Sequence, residues 1–407
     1  MNEQFSHKDL IIATLLSFKI TTYDFEEIKG EAVTLYKFRP QLGVRVSKIR
    51  GLKDELAAVL GVQQVRIVAP LADGSVGIEV PNKQRPILQL SDILCSPEYL
   101  TSDMALPLAI GRTITGMTFM ADLAEMPHLL IAGATGQGKS VGLNVMLMSL
   151  LHKKTPKEMK LVLIDPKKVE MSAYREIAKP YITRMEGVPP IITEAYHANL
   201  MLDALCRLME KRYSKLAEIG ARNIAEYNHY SLDINKMEYY VIVIDEYGDL
   251  VMDKQYGRSL EYYICRLAQK ARAVGMHLII STQRPSATIV TGNIKANFPT
   301  RIAFRTTTGT DSRVILDQVG AEKLTGAGDM LYFSGAETTR VQCAYVSTQE
   351  VLRRCKDIGE NNDDCRQKVL RVVQEQQPQE KYKPKDKDDI YAFMGMFKDF
   401  PFTNRWW

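Results

Sequence analysis

Residues 133–142 read GATGQGKSVG, and no other stretch narrows the possible folds so far. The spacing G-x-x-x-x-G-K-[ST] is met by Gly133, Gly138, Lys139 and Ser140. Glycines at these steps let successive backbone N–H groups turn inward as a nest for phosphate oxygens. Gly133, Ala134, Thr135, Gly136, Gln137 and Gly138 supply that backbone. Lys139 is placed to reach the β- and γ-phosphates, and the Ser140 hydroxyl to hold Mg²⁺. An ordinary glycine turn before a helix would share this composition, so the flanks matter. HLLIA (128–132) is a short apolar run that reads as a buried strand, and SVGLNVMLMSLL (140–151) reads as a helix. Strand, loop and helix is the setting a phosphate loop requires, and the helix adds its positive amino end.

Beyond residue 106 strands alternate with helices, the signature of an α/β protein with a mostly parallel sheet. The expected strand segments are KLVLIDP (160–166), YYVIVIDEYGDLV (239–251), MHLIISTQRP (276–285) and TRIAFRT (300–306). GDMLYF (328–333) and TRVQCAYV (339–346) are expected to end the sheet. Helices are expected over 195–220 and 262–275. Residues 1–105 read as a small α+β domain, with strands over 31–40 and 64–71 and a helix over 52–61 ending at Gly61. Its basic residues Lys37, Arg39, Arg45, Lys48 and Arg50 are either a solvated face or a DNA contact. The ATPase domain is expected over 106–350. From about Arg353 the composition turns charged and glutamine-rich, so 351–407 reads as a linker or tail, with an aromatic end that can dock on a partner or on the body of the protein.

Binding a nucleotide is not yet hydrolysing one. In YVIVIDE, an apolar strand delivers Asp245 and Glu246 to the sheet edge beside the loop. Asp245 can hold Mg²⁺ through water, and Glu246 can orient or deprotonate the attacking water. Asp165, at the end of VLIDP, competes for the metal role. Asp245 is preferred because Glu246 supplies the catalytic carboxylate in the same step. Gln283 either bonds the γ-phosphate or the water, or is merely a polar strand end. An arginine that neutralises transition-state charge, often from a neighbouring subunit, is also expected. Arg272, Arg284, Arg301 and Arg313 are all candidates, and spacing does not choose among them.

Composition excludes little else. No apolar run reaches the roughly 18 residues a membrane span needs, and the start lacks a basic leader and a small-residue cleavage site. Six cysteines without C-x-x-C pairs suit a reduced, cytoplasmic protein and give no zinc framework. His128 and His277 sit in apolar strands and read as structural. A net charge of +5 is compatible with nucleic acid without proving it.

Five segments together resemble the motor of the FtsK/SpoIIIE DNA translocases: HLLIAGATGQGKSVGLN, LVLIDPKKVEMSAY, VIVIDEYGDLV, RLAQKARAVGMHLIISTQRP, and the stretch from Ile294 to Tyr332. FRPQLGVRVSKIRGL and VGIEVPNKQR resemble that family's α subdomain. The resemblance implies a RecA-like core and ATP with Mg²⁺ as ligands. It further implies a homo-oligomeric ring, expected to be a hexamer, around double-stranded DNA, serving chromosome segregation. ATP would lie between subunits, with Arg272 as the arginine acting in trans. Thr306 to Arg313 would lie near the subunit boundary or the pore. A secretion or conjugative-transfer ATPase of the same superfamily, moving protein or single-stranded DNA, is the alternative. The family's membrane-spanning part and its winged-helix γ domain have no clear counterpart, so either a motor-only piece or a shortened relative of the family is expected.

Overall fold

The computed structural model describes residues 5–71, 73–84, 86–335, 337–362 and 368–370. The glutamine-rich stretch Glu375–Asp389 and the aromatic end lie outside the described residues.

The small domain is a four-stranded antiparallel sheet in the order β1 (Thr22–Lys29), β2 (Val33–Pro40), β4 (Val76–Pro81), β3 (Arg66–Val68). The helices His7–Ser17 and Lys53–Leu60 cover one face of it, burying Ile11, Leu15, Leu56 and Leu60 against Phe38 and Ile78. The second helix ends where Gly61 adopts a left-handed conformation, as its sequence predicts. Four of the five basic residues singled out in this domain have local partners. Lys37 pairs with Asp73 and Glu26, Arg39 pairs with Asp24 at 3.9 Å, Lys48 donates to the Phe18 carbonyl, and Arg50 donates to the Ala69 carbonyl.

The second sheet has ten strands. Its strands in chain order are β5 (Pro107–Thr113), β6 (Thr118–Asp122), β7 (Leu129–Ala132), β8 (Met159–Ile164), β10 (Ile191–Ile192), β11 (Tyr239–Ile244), β12 (Met276–Thr282), β13 (Thr300–Phe304), β14 (Asp329–Ser334) and β15 (Glu337–Cys343). β9 (Arg184–Met185) pairs separately with β16 (Val369–Leu370). Across the sheet the order is β10-β8-β11-β12-β7-β13-β14-β15-β5-β6. The six strands from β10 to β13 are parallel, and the rest are antiparallel. Every residue of β7, β8 and β12 is buried. Helices cover both faces, which is why these strands read as unbroken Val/Ile/Leu runs rather than alternating ones. The helix Lys139–Lys153 packs on one face and Ala195–Glu218 on the other.

Two expectations need correction. β14 and β15 do not end the sheet: the hairpin β5–β6 extends it by two further strands. And the charged composition after Arg353 does not at once become a linker, because Thr348–Asn361 is helical. Val351, Cys355 and Ile358 recur at helical spacing and face the core beside Tyr174 and Ile177.

Ions join the small domain to the large sheet. Arg340 of β15 is buried between Asp329 of β14, at 2.9 and 2.6 Å, and Glu79 of β4, which also takes Arg66 at 2.9 Å. The connecting segment also packs inward, with Leu88, Leu90, Ile93 and Tyr99 buried in the core of the large sheet.

Candidate nucleotide site

Parallel strands present their carboxyl ends to one edge of the sheet, where ligands of α/β proteins bind. β7 ends at the glycine loop and leads into the helix Lys139–Lys153. Two glycines are needed there for distinct reasons. Gly138 has φ +111°, and a Cβ on it would meet the Gly328 nitrogen at 2.8 Å. Gly133 sits so close to Phe304 that a Cβ would come within 2.7 Å of that side chain. The loop is thus braced from below by Phe304 of β13 and from the side by the turn at Gly326–Gly328.

Neighbouring strands bring the acids. Lys139 is buried, and its Nζ donates to Asp245 Oδ1 at 2.5 Å and to Ser281 Oγ at 3.0 Å. Ser281 donates to the same Asp245 oxygen at 2.7 Å. Asp245 Oδ2 is buried without a hydrogen-bond partner. Ser140 donates to Glu170 Oε1 at 2.6 Å.

Glu246 is fully buried and held from three directions. It accepts from the Thr282 hydroxyl at 2.7 Å, from the Gln283 N–H at 3.2 and 3.1 Å, and from Lys167 Nζ at 2.8 Å. Its backbone lies at φ 58°, ψ 64°, left-handed space that a glutamate enters at a cost of about 1 kcal/mol or more. Non-glycine residues strained in this way cluster at working sites. Burial opposes the charge on Lys167, but its bond to Glu246 and the fields of Glu246, Asp249 and Asp245 outweigh that, so its pKa is raised.

The other sequence candidates fall into place unequally. Gln283 lies at the loop, its Oε1 accepting from the Thr135 hydroxyl at 3.0 Å. Asp165 is committed elsewhere: its two oxygens accept the backbone N–H groups of Lys168 and Met171, at 3.0 and 3.1 Å. Arg301 is buried and saturated by three backbone carbonyls and Asp317. Arg284 and Arg313 are exposed. Arg272 is exposed too, in the turn Ala271–Val274 just before β12. Seven residues of strand at about 3.3 Å each place it about 20 Å from the phosphate loop, at the opposite end of the strands. It does not reach the loop of its own chain.

Lys167, Glu170, Ser281 and Thr282 were not singled out from sequence. Ser281 and Thr282 occupy the end of a strand already recognised, which was the available signal. Lys167 and Glu170 follow a strand end in PKKVE, a stretch that reads like any solvated turn.

A buried lysine on a glycine loop beside a strand ending in Asp-Glu defines a P-loop NTPase fold. The sequence profile of the FtsK/SpoIIIE family matches residues 89–287, and that of the FtsK alpha domain matches residues 2–82. The DNA translocase FtsK of Chlorobaculum tepidum is 43% identical over 361 residues, covering 87% of this chain and 44% of that protein. Its namesake from Clostridium tetani is 45% identical over 344 residues, covering 83% of this chain and 45% of that protein. This chain belongs to the FtsK/SpoIIIE family, and it spans less than half the length of these relatives. Among solved structures, the pCW3 conjugation coupling protein TcpA has a TM-score of 0.60 at 24% identity, covering 86% of this chain and 99% of its own. The cytoplasmic domain of the type VII secretion ATPase EccC of Thermomonospora curvata has a TM-score of 0.56 at 23% identity, covering 66% of this chain and 34% of its own. At that identity these two show a shared fold. No helix among the described residues is long and apolar enough to cross a membrane.

Proposed function

We propose that this chain is the motor of an ATP-driven double-stranded DNA translocase, acting as a homo-oligomeric ring, expected to be a hexamer, in chromosome segregation on the cytoplasmic side. The observation that carries the reading is the buried cluster of Lys139, Asp245 and Glu246 at the carboxyl ends of β7 and β11. The domain division belongs to the same proposal: an α subdomain up to about residue 105, then an ATPase core that runs on through the helix Thr348–Asn361, and a tail after it.

The residues present fit Mg²⁺. Asp245 Oδ2 is a buried carboxylate oxygen with no partner, and the Ser140 hydroxyl lies at the loop's end. Among the described residues no cluster of His, Cys, Asp or Glu forms an all-protein cage. That suits an ion that takes one or two protein ligands and completes its shell with phosphate and water. When bound, it neutralises phosphate charge.

The chain's own groups do the rest. Backbone N–H groups of the loop cradle the phosphates. Phosphate oxygens compete with Asp245 Oδ1 for the Lys139 ammonium, so nucleotide arrival and the release of Asp245 are one event. Glu246, its carboxylate orientation fixed by Thr282, Gln283 N–H and Lys167, takes the proton of the attacking water. Gln283, hydrogen bonded to the loop at Thr135, reports the γ-phosphate to the end of β12. Arg272 serves the site of a neighbouring subunit, and DNA is held along its phosphates without reading sequence. Steady-state ATP turnover with and without linear duplex DNA tests the reading. Several-fold stimulation that falls steeply with salt supports it; stimulation only by a protein substrate or by single strands would instead support a secretion or transfer ATPase.

A further inference from the structure

The ion cluster that joins the small domain to the large sheet ends beside the phosphate loop. Charges alternate in sign along it, from Arg66 to Glu79 to Arg340 to Asp329. Glu79 accepts from Arg66 at 2.9 Å and from Arg340 on its other side. Arg340 grips both oxygens of Asp329, with Nε at 2.9 Å and Nη2 at 2.6 Å. Glu79, Arg340 and Asp329 are all buried. An unbalanced charge is costly there, so the three side chains hold one another in place.

Asp329 passes that constraint on. Its Oδ2 also accepts from the Thr325 backbone N–H and hydroxyl, at 2.7 and 2.8 Å. These bonds close the turn between Thr325 and Asp329. Inside it Gly326, Ala327 and Gly328 stand at φ 80°, 51° and 88°, left-handed residues in succession. An alanine keeps such a conformation only where its surroundings hold it. Gln342 of β15 supplies one hold, its Nε2 donating to the Ala327 carbonyl at 2.9 Å. The Asp329 carboxylate supplies another. The turn then props the loop, because the Gly328 N–H donates to the Gln137 carbonyl at 3.1 Å. An unbroken chain of bonds therefore runs from β4 of the small domain to the backbone of the phosphate loop.

We infer that Arg340 is a positioning residue for the phosphate loop, carrying the placement of Glu79 through Asp329 and the left-handed turn to Gln137. The inference rests on the nucleotide-site reading above. The small domain thereby sets the affinity for phosphate without touching it. Coupling between two sites is reciprocal, so phosphate on the loop also tightens the hold on the small domain.

Hydrogen exchange at single amides and calorimetric titration of the full chain with Mg·tripolyphosphate test this together. Tripolyphosphate has no base or sugar to extend toward the small domain. Glu79→Gln keeps the shape and removes the charge that Arg340 faces. Without ligand, its Gly328 amide should exchange about tenfold faster than in wild type, the scale of one lost charge-assisted bond. Amides of β11 should keep their wild-type rates. Tripolyphosphate should bind about fivefold more weakly, within the range for residues that couple sites without touching a ligand. Asp329→Asn, nearer the loop, should do more on both counts. In the wild-type chain, which needs no substitution, saturating Mg·tripolyphosphate should slow exchange in β4 at least about twofold. Unchanged Gly328 exchange in Glu79→Gln, or an acceleration shared equally by β11, reduces the cluster to a joint between domains and overturns the inference. So does β4 exchange that is indifferent to tripolyphosphate. A wild-type chain that binds no tripolyphosphate overturns the phosphate-loop reading beneath it.

Discussion

The two ends of the same parallel strands bury ionisable groups in opposite ways. At the carboxyl ends, Lys139 meets Asp245 and Glu246 meets Lys167, charge against charge with hydroxyls from Ser281 and Thr282. At the amino ends, His128 and His277 lie just as deep, with ring centroids 6.2 Å apart, and among the described residues no carboxylate is bonded to either. Burial lowers the His128 pKa to about 3, helped by the neighbouring His277, and lowers that of His277 to about 4 despite its contact with the Pro127 carbonyl. His128 Nδ1 accepts the Leu278 N–H at 3.0 Å, a role a protonated nitrogen cannot fill. Depth alone therefore does not mark a working group. What marks it is depth together with opposite charge, placed where parallel strands deliver their ends.

Removing the cation at the working end should have the largest effect. Lys139→Ala takes away the ammonium proposed to face phosphate and leaves Asp245 buried without its counter-ion. Nucleotide affinity should fall about a hundredfold or more by calorimetry. Thermal stability should also fall, because an uncompensated buried charge is costly. Normal affinity in this variant would make the carboxyl end no different from the histidine end.

A smaller change sharpens the role of the hydroxyls. Thr282→Val keeps the shape and removes the donor to Glu246 Oε1. Turnover should drop about tenfold, in line with one hydrogen bond to a charged group, with nucleotide affinity unchanged. An equal loss in both quantities would mean that Thr282 holds the site together rather than aiming Glu246.

The smallest effect belongs to the amino end and appears only with acid. The folded chain holds both histidines at lowered pKa, while the unfolded chain takes up protons near pH 6.5. The neutral pair thus contributes stability that is fully present above pH 6.5 and is lost as pH falls toward 4 and then 3. Melting temperature should decline across that window, and less steeply in His277→Gln. A slope identical in wild type and variant would show that carboxylates alone govern acid unfolding.

Much of the working end is legible in the sequence because it is local. The loop spacing, the apolar strand before it and the Asp245–Glu246 pair at the end of another apolar run each occupy a few consecutive residues. The parts that stay hidden depend on chain crossings. Lys167 meets Glu246 only because β8 lies beside β11, and the Asp165 oxygens turn to the backbone N–H groups of Lys168 and Met171. Buried ions mislead in the same way. Arg340 and Glu79 sit in strands that read as half solvated, yet they meet each other 261 positions apart in the chain. The β5–β6 hairpin escapes notice because part of it is only half-buried at the antiparallel edge, with β6 intermediate in exposure throughout. Its pattern is therefore weak.

The account stands or falls on Glu246 as the group that takes the water's proton. Single-turnover hydrolysis of ATP by Glu246→Gln, read beside its nucleotide affinity, tests this most directly. Affinity should stay within a few-fold of wild type while the hydrolysis rate drops by about 10²–10⁴, the range expected for a lost general base. A variant that binds and cleaves ATP at the wild-type rate would contradict it.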